Sequence, residues 1–334
     1  MRWIVKRVII AFLTILVAAS ITFFVVRSMP GDPIEALTQA FIRQYYMSYE
    51  TARALAESVA PFVPKGSLIQ QYVDYMLKFL RGDLGVSISF STGTPVTELL
   101  ASRIPWTVLV VATSLIISFG LGILIGMIMA YRHGSKLDSG LALLFSITRS
   151  IPEYIIALLL LTVFAFQLKW FPVRGLYSAD VTPGFNLEFI VDVLWHAALP
   201  ITTWVIVHLG GWALGMRGST ISVLGEDYIT YAKARGLPSR RITITYVGRN
   251  AILPLFTSFM LSLGFMFGGS IFIEYIFAYP GVGWMLYQAI TNRDWFLMIG
   301  TFDVIVIAVV TGALLADLLY GFLDPRIRRG RMGE

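Results

Sequence analysis

The sequence predicts an all-α fold: a polytopic integral membrane protein with six transmembrane helices and an external region between helices 1 and 2. Three observations lead to this fold class. Of the 334 residues, 57% are hydrophobic and only 14% are charged, whereas about a quarter of the residues in soluble proteins are charged. The mean hydropathy is +0.74. Six apolar runs have the length of about twenty residues that a helix needs to cross a bilayer.

The chain begins with three basic residues among its first seven, followed by an apolar run from Val8 to Val26. This pattern predicts a first transmembrane helix within residues 1–27. A cleavable signal peptide is the alternative, with the small residues 18–20 as the cleavage site. Cleavage there would leave the apolar stretch from Ile21 as an exposed end, so an uncleaved helix is favoured.

The hydropathy falls over residues 28–104, which form the predicted external region. The sequence Met29-Pro-Gly-Asp-Pro33 must end the first helix, because proline breaks a helix interior. Glu50 to Val59 is predicted as a short helix, and Leu68 to Leu80 has apolar residues at helical spacing. The glycines of 81–87 then turn the chain.

Five further apolar runs predict a transmembrane core over residues 105–323, with a polar loop at 217–249 and a polar tail at 324–334. Several runs exceed twenty residues, which permits tilting or kinking. The runs cover about Trp106 to Tyr131, Leu137 to Phe166, Val191 to Met216, Asn250 to Ala278 and Phe296 to Phe322.

Prolines and glycines punctuate these runs. Pro152, Pro200 and Pro254 lie in or near them. Gly122 and Gly126 are four residues apart, a spacing that predicts close contact between helices.

The basic residues are distributed unevenly between the predicted loops. The short segments 1–7, 131–138, 217–249 and 323–334 hold more than half of the 26 lysines and arginines. Cytoplasmic loops carry such an excess, so both termini are predicted to be cytoplasmic and the external region to lie on the other side of the membrane. This distribution accounts for the net charge of +6 without nucleic-acid binding.

The most strongly charged segment of the second half runs from Glu226 to Thr257 and is predicted to form a helix, a break and a second helix. Acidic residues at the start of the first helix and basic residues at its end suit the helix dipole. Gly236 has the position of a left-handed residue that ends this helix, and Pro238 follows at the usual distance. Ser239 is predicted to cap the second helix.

This segment resembles the cytoplasmic coupling loop, or EAA loop, of ABC importer permeases. In the dipeptide/oligopeptide branch, which also includes oligosaccharide and nickel transporters, the loop has the pattern Glu-x-Tyr-x-x-x-Ala-x-Ala-x-Gly-Leu with Arg-Asn-Ala-x-x-Pro downstream. Two positions differ: Tyr246 replaces a common His, and Thr230-Tyr231 replace Glu-Ala. The matching residues are Glu226, Tyr228, Ala232, Ala234, Gly236, Leu237, Arg249, Asn250, Ala251 and Pro254.

Four other motifs are similar to the same branch, in the expected order. They are Pro-Gly-Asp-Pro from Pro30, Gly-Asp-Leu-Gly-x-Ser from Gly82, Glu-x-x-Phe-x-x-Pro-Gly-x-Gly from Glu274, and Asp-x-x-Tyr-x-x-x-Asp-Pro-Arg-Ile from Asp317. The chain is therefore identified as a member of this permease family, as its first (B-type) permease subunit.

The resemblance implies a permease that is not itself an enzyme and has no catalytic, cofactor or metal site of its own. Its partners would be a second homologous permease subunit, two cytoplasmic ATPase subunits that bind ATP and magnesium, and an external substrate-binding protein. Asp227, Ala232, Gly236 and Leu237 would contact the ATPase, and Arg249 and Asn250 would anchor the segment to the fifth span. The full set of expected coupling residues is Glu226, Asp227, Tyr228, Ala232, Ala234, Gly236, Leu237, Arg249 and Asn250.

The resemblance favours di- and oligopeptides as the substrate. Many members carry Leu-Gly-Leu-Asp-x-Pro in the external region, where this chain has Ala60-Pro-Phe-Val-Pro-Lys-Gly-Ser67. This departure keeps oligosaccharides open as an alternative, with nickel chelates as a third.

Three ionisable residues within the spans are candidates for the translocation pathway, because charges inside a membrane usually face protein or water. Arg149 and Glu153 are four residues apart, so we expect them to share one helix face and to pair, either beside the pathway or as a structural ion pair. Asp303 is expected to face the protein interior. His196 and His208 are about three turns apart, too distant for one metal.

Other functional classes find little support. The chain lacks a Gly-x-x-x-x-Gly-Lys-Ser/Thr phosphate-binding loop, and with three histidines and no cysteine it has no metalloenzyme motif. A proton-coupled secondary transporter would rely on acids such as Glu153, Asp303 and Asp317, but it would leave the segment at 226–257 unexplained. A structural membrane protein would leave it equally unexplained.

Overall fold

The computed structural model describes residues 2–29, 31–59, 66–266 and 271–323. Within these residues the chain is helical, apart from connecting loops and one isolated antiparallel bridge between Val86 and Pro95. The all-α fold class is confirmed. The chain divides into two units: the first contains the described residues up to 107, residue 271 and 280–314, and the second contains 108–266, 272–279 and the described residues from 315 onward.

Helix α1, Arg2–Arg27, corresponds to the first predicted transmembrane helix. Its stretch Ile4–Arg27 is long and apolar enough to cross a membrane. Ala19, Phe23 and Val26 are buried on one face, because residues four and three apart lie together on a helix. Most of the remaining apolar surface of α1 is exposed and therefore suited to contact with lipid.

Three helices follow in the region predicted to be external: α2, Pro33–Tyr45; α3, Tyr49–Val59; and α4, Leu68–Leu80. The helices predicted over 50–59 and 68–80 are confirmed. Helix α2 was not predicted, although Asp32 caps it and a proline occupies its first position. Residues 60–65, which include most of the altered segment 60–67, lie outside the described residues.

Three more long helices can cross a membrane: α5, Val96–Tyr131; α8, Leu187–Leu224; and α15, Trp295–Leu323, through its part up to Leu315. Within the second unit, α5 and α8 approach closely at glycines. A Cβ atom on Gly126 would lie 2.4 Å from the carbonyl oxygen of Ala213. The close helix contact predicted from Gly122 and Gly126 is confirmed.

The third predicted span is bent. It begins with helix α6, Lys136–Ser150, and continues with helix α7, Glu153–Leu160, and a π-helical segment, Leu161–Gln167. The two parts meet at an angle of 97°. The helix breaks between them, where Ile151 is extended and Pro152 precedes α7. The break occurs at this proline because proline lacks the N–H that a continuous helix needs. The expectation that Arg149 and Glu153 share one helix face is therefore wrong, because they lie on different sides of the break.

The fifth predicted span appears in pieces. Helix α11, Arg249–Ala251, is followed by α12, Leu253–Phe265, and by α13, Ile271–Ile276, and residues 267–270 between the last two lie outside the described residues. Four described helices can each cross a membrane, or five if the bent pair is one span. The count of six stays a prediction. The remaining helices are α9, Asp227–Ala234, α10, Ser239–Arg241, and α14, Val282–Thr291.

Candidate coupling segment

Residues 226–250, here called the coupling segment, follow directly on the long helix α8 in the second unit. Helix α9 ends at Gly236, whose φ of +68° is left-handed. The N–H of Gly236 donates to the carbonyl oxygen of Lys233 at 2.9 Å, and that of Leu237 donates to Ala232 at 3.3 Å. The predicted helix end at Gly236 is confirmed, because glycine adopts this conformation without the strain that a Cβ imposes.

The second half of the segment starts at Pro238. Pro238 is extended and occupies the cap position of α10, while Ser239 is already the first helical residue. The prediction that Ser239 caps this helix is therefore wrong, because Pro238 holds the cap position and Ser239 lies one residue inside the helix. A π-helical segment, Ile242–Gly248, continues α10 and leads into α11.

The two halves enclose a small apolar core of their own. Ile229 and Ala232 of α9 are buried against Ile242 and Val247 of the second half. Leu237 packs on this cluster and is half-buried. Burial of an isoleucine or valine side chain contributes about 1.5–3 kcal/mol, so this core stabilises the packing of the two halves, together with Val223 and Leu224 of α8.

This core corrects one expected position. Ala232 is only 3% exposed, so its side chain faces the segment's interior and not a surface where an ATPase could touch it. Its small size lets α9 approach the second half closely. Ala234 and Gly236 are exposed, in keeping with a surface role.

One side-chain hydrogen bond joins the ends of the segment. The Asn250 amide Nδ2 donates to the Tyr228 hydroxyl at 3.1 Å and to the carbonyl oxygen of Tyr246 at 2.8 Å. Two residues predicted from the sequence, 22 positions apart, are thus brought together. Tyr246 contributes its backbone oxygen to this contact.

The outer surface of the segment combines large apolar side chains with charges. Tyr231 is 71% exposed and Ile244 is 58% exposed. Sequence reasoning did not single out either residue as functional. Helix geometry places Tyr231 on the outer side of α9 once Ile229 and Ala232 are known to face inward, but the local sequence alone does not show which face packs inward. The charged residues exposed on the segment are Glu226, Asp227, Lys233, Arg235, Arg240, Arg241 and Arg249.

A buried ion pair fixes α8 ahead of this segment. The Arg217 guanidinium donates from Nε to Asp138 Oδ1 at 2.6 Å and from Nη2 to Asp138 Oδ2 at 2.8 Å. Asp138 is 2% exposed and also accepts from the N–H of Gly134 at 3.0 Å. Because the two residues are 79 positions apart, no local pattern in the sequence indicated this pair.

The three candidate pathway residues do not all belong to the same unit. Arg149 and Glu153 belong to the second unit, and Asp303 belongs to the first. Asp303 is 1% exposed, as its predicted interior position requires, and Tyr75 donates its hydroxyl to Asp303 Oδ2 at 2.7 Å.

The histidines form no shared site. His196 and His208 each have ring Nδ1 at hydrogen-bond distance from a carbonyl oxygen one turn earlier, at 2.9 Å and 3.0 Å. Among the residues that the structure describes, no cluster of three metal-ligating side chains occurs.

The fold and this segment together define a class: a multi-pass helical membrane protein with a polar-surfaced, internally packed segment between two of its apolar helical regions. Residues 122–329 match the family of binding-protein-dependent transport system inner membrane components. The chain belongs to this family, as its motifs predicted.

Full-length relatives agree with the assignment. The chain is 32% identical over 331 residues to the oligopeptide transport system permease protein AppB of Bacillus subtilis, covering 97% of this chain and 98% of that one. It is 29% identical over 344 residues to the di/tripeptide transport system permease protein DppB of Pseudomonas aeruginosa, covering 99% and 100%. The similarity therefore includes the region before residue 122.

Proposed function

We propose that this chain is the first permease subunit of an ATP-driven importer that translocates di- and oligopeptides delivered by an external binding protein. The names of its full-length relatives support the substrate class. The coupling segment supports the mechanism, because its two helical halves pack on a common apolar core and could together transmit force from another protein.

The assembly that we propose contains a second homologous permease subunit, two cytoplasmic ATPase subunits and an external binding protein. ATP and magnesium bind to the ATPase subunits. The complex lies in the cytoplasmic membrane with both termini of this chain in the cytoplasm, a topology supported by the excess of basic residues in its short loops. The proposed domains are the first helix at 1–27, the external region at 28–104, the helical core at 105–323 and the tail at 324–334.

The observation that carries the proposal is the apolar core packed inside the coupling segment. Its own apolar core and the Tyr228–Asn250 hydrogen bond hold two helical halves in one arrangement. A flexible loop would absorb a displacement of the ATPase, whereas a segment with a packed core transmits it to α8 and α11. Closure of the ATPase pair on ATP would thus change the access of the pathway from one side of the membrane to the other.

The exposed residues suggest how the ATPase is held. Tyr231 and Ile244 are the most exposed of the large apolar side chains of the segment, and buried aromatic anchors carry most of the binding energy in protein interfaces. We assign them as anchors that enter a groove of the ATPase. The left-handed turn at Gly236 leaves open space around its Cα, which would let the backbone approach that groove.

A substitution of Gly236 tests this mechanism. Proline fixes φ near −65°, so Gly236→Pro cannot keep the left-handed helix end. We expect ATP hydrolysis stimulated by substrate-loaded binding protein to vanish, while the chain still inserts and assembles with its permease partner. Gly82→Pro is the matched control, because Gly82 is also a left-handed residue after a helix, with open space around it and an N–H that donates to a carbonyl oxygen three residues earlier, but it lies in the first unit. Stimulated hydrolysis that survives in Gly236→Pro would contradict the assignment.

The substrate needs a separate measurement. Thermal stabilisation of the partner binding protein by peptides, and not by β-linked oligosaccharides, is the expected result. Stabilisation by sugars alone would change the proposed substrate from peptides to oligosaccharides and leave the proposed mechanism unchanged. Uptake that fails when the proton gradient is collapsed at constant ATP would instead favour a proton-coupled transporter.

A further inference from the structure

A cavity of about 120 Å³ lies within the first unit, at the end of α1. Its walls come from α1, α4, the turn at 83–85 and the start of α15. Apolar and aromatic side chains form most of the lining, and four charged side chains interrupt it: Arg27, Asp74, Lys78 and Asp83.

Arg27 is the charged group whose hydrogen bonds are incomplete. Its Cζ lies 4.0 Å from the centre of the Trp295 ring, and its Nη2 donates to Gln71 Oε1. Its Nε and Nη1 are buried and have no hydrogen-bond partner among the described residues. A guanidinium carries five N–H donors and cannot lose its charge, and burying such donors without acceptors is costly. An anionic ligand beside Arg27 would supply acceptors to this guanidinium, in addition to the negative charge of Asp32 nearby.

The position of Arg27 indicates where this anion comes from. The apolar stretch of α1 ends at Arg27 after 24 residues, and about twenty residues cross the hydrocarbon. Arg27 therefore lies at the depth of the lipid phosphates. Trp295 and Tyr75 line the same cavity, and such aromatic rings concentrate at this interface. Because α1 exposes most of its apolar surface, a lipid chain can lie along it.

The acidic residues narrow the choice of headgroup. Asp74 and Asp83 share the cavity with Arg27 and Lys78, so its lining carries charges of both signs. A headgroup with a phosphate and an amine matches both signs of charge.

We propose that this cavity binds the headgroup of an aminophospholipid, with its phosphate on Arg27 and its ammonium group beside Asp74. Phosphate and guanidinium form strong, often bidentate hydrogen bonds. The site would fix the exposed helix α1 against α4 and α15 in the bilayer. This proposal depends neither on the transported substrate nor on the ATPase partner.

The test uses the purified, delipidated transport complex in detergent. Binding is measured by native mass spectrometry and by the shift in melting temperature on adding phosphatidylethanolamine, phosphatidylglycerol, diacylglycerol or soluble phosphoethanolamine. We expect phosphatidylethanolamine to bind most tightly and diacylglycerol, which lacks the phosphate, to bind least. Arg27→Gln should weaken the binding of phosphatidylethanolamine by about tenfold or more, because the charge-assisted hydrogen bonds to its phosphate are lost.

Two variants serve as comparisons. Arg43→Gln removes an exposed arginine of α2 outside the cavity and should bind lipid as the unmodified complex does. Asp74→Asn should lose the preference for phosphatidylethanolamine over phosphatidylglycerol, and this readout remains if Arg27→Gln fails to assemble.

Three results would overturn the proposal. Unchanged lipid affinity in Arg27→Gln would remove Arg27 from the site. Phosphoethanolamine that binds as tightly as the lipid would assign the cavity to a soluble phosphate compound. Displacement of the lipid by short peptides, which also carry both charges, would make the cavity a substrate site.

Discussion

The loop at 83–95 of the first unit and the coupling segment of the second unit are both irregular stretches next to long helices, but they hold their shapes by opposite means. The loop is fixed by one buried carboxylate. Asp294 is fully buried, and its Oδ2 accepts from the Ser87 hydroxyl at 2.6 Å. The same oxygen accepts backbone N–H groups of residues 88, 89 and 90 at 2.9, 3.0 and 3.1 Å.

The coupling segment has no comparable charged anchor among the hydrogen bonds of its described residues. An apolar cluster around Ile229 and Val247 holds it, together with the single Tyr228–Asn250 hydrogen bond. Apolar contacts are not directional, whereas the carboxylate of Asp294 satisfies several donors at fixed positions. The loop is therefore tied at defined atoms, whereas the segment is held by apolar packing.

This difference predicts where substitutions damage the fold and where they damage coupling. The largest effect is expected at Asp294. Asp294→Ala leaves the backbone donors of the loop buried without an acceptor, which should lower the free energy of unfolding by about 3–5 kcal/mol. The melting temperature and the yield of assembled complex measure this loss.

Asp180→Ala is the control for Asp294→Ala, because Asp180 is exposed. The two variants should differ widely in melting temperature. Equal stability would show that the loop is held by its own turn and not by the carboxylate, and the contrast between the two regions would fail.

The next effect separates the inside of the coupling segment from its surface. Ile229 is fully buried and Ile244 is 58% exposed. Ile229→Ala should cost about 2–5 kcal/mol of local stability, because it creates a cavity in the small core. Ile244→Ala should leave stability unchanged and weaken retention of the ATPase subunits during purification.

The readouts for this pair are hydrogen exchange in the segment and the amount of co-purified ATPase. Loss of protection in Ile244→Ala, or normal protection in Ile229→Ala, would contradict the division between core and docking surface.

A smaller effect is expected at the contact of α5 with α8, the helix that carries the coupling segment. A Cβ on Gly126 would lie 2.4 Å from the Ala213 carbonyl oxygen, whereas one on Gly120 would meet nothing within 4 Å. Gly126→Ala should therefore destabilise the second unit by about 1–3 kcal/mol through overpacking, and Gly120→Ala should not. Equal melting temperatures would mean that α5 and α8 can separate without cost.

Much of the fold could be predicted from the sequence, because apolar length and helix signals are local. The runs at 8–26 and 106–131 and the helical end at Gly236 follow from residues close together in the chain. Helix α2 could also have been predicted, since Asp32-Pro33 is a cap followed by a proline at the first helical position. The right-angled bend at Pro152 was less accessible, because a proline can kink a helix by different amounts.

The contacts that fix the candidate site were not predictable in the same way. Asp138 and Arg217 are 79 positions apart in the chain. In the sequence, each looks like an ordinary charged residue of a polar loop, so nothing local indicates that the two residues pair. The inward position of Ala232 depends on Ile242 and Val247, which belong to the second half of the segment. The family resemblance directed attention to this stretch of residues, but it did not indicate that Ile229 and Ala232 face the core of the segment.

The smallest predicted effect concerns the hydrogen bond between the ends of the coupling segment. Tyr228→Phe removes the hydroxyl that accepts from Asn250 at 3.1 Å and should lower local stability by about 1 kcal/mol. Both side chains are exposed, so water can replace the lost partner and the core around Ile229 remains packed. If rigidity is what transmits force, substrate-stimulated ATP hydrolysis should fall more than the basal rate. Tyr46→Phe, at a 92% exposed tyrosine outside the coupling segment, is the control for losing a tyrosine hydroxyl without this bond. Equal stimulation in Tyr228→Phe and the unmodified complex would show that this hydrogen bond is not needed for coupling. The segment would then depend on apolar packing alone, whereas the loop at 83–95 depends on the carboxylate of Asp294.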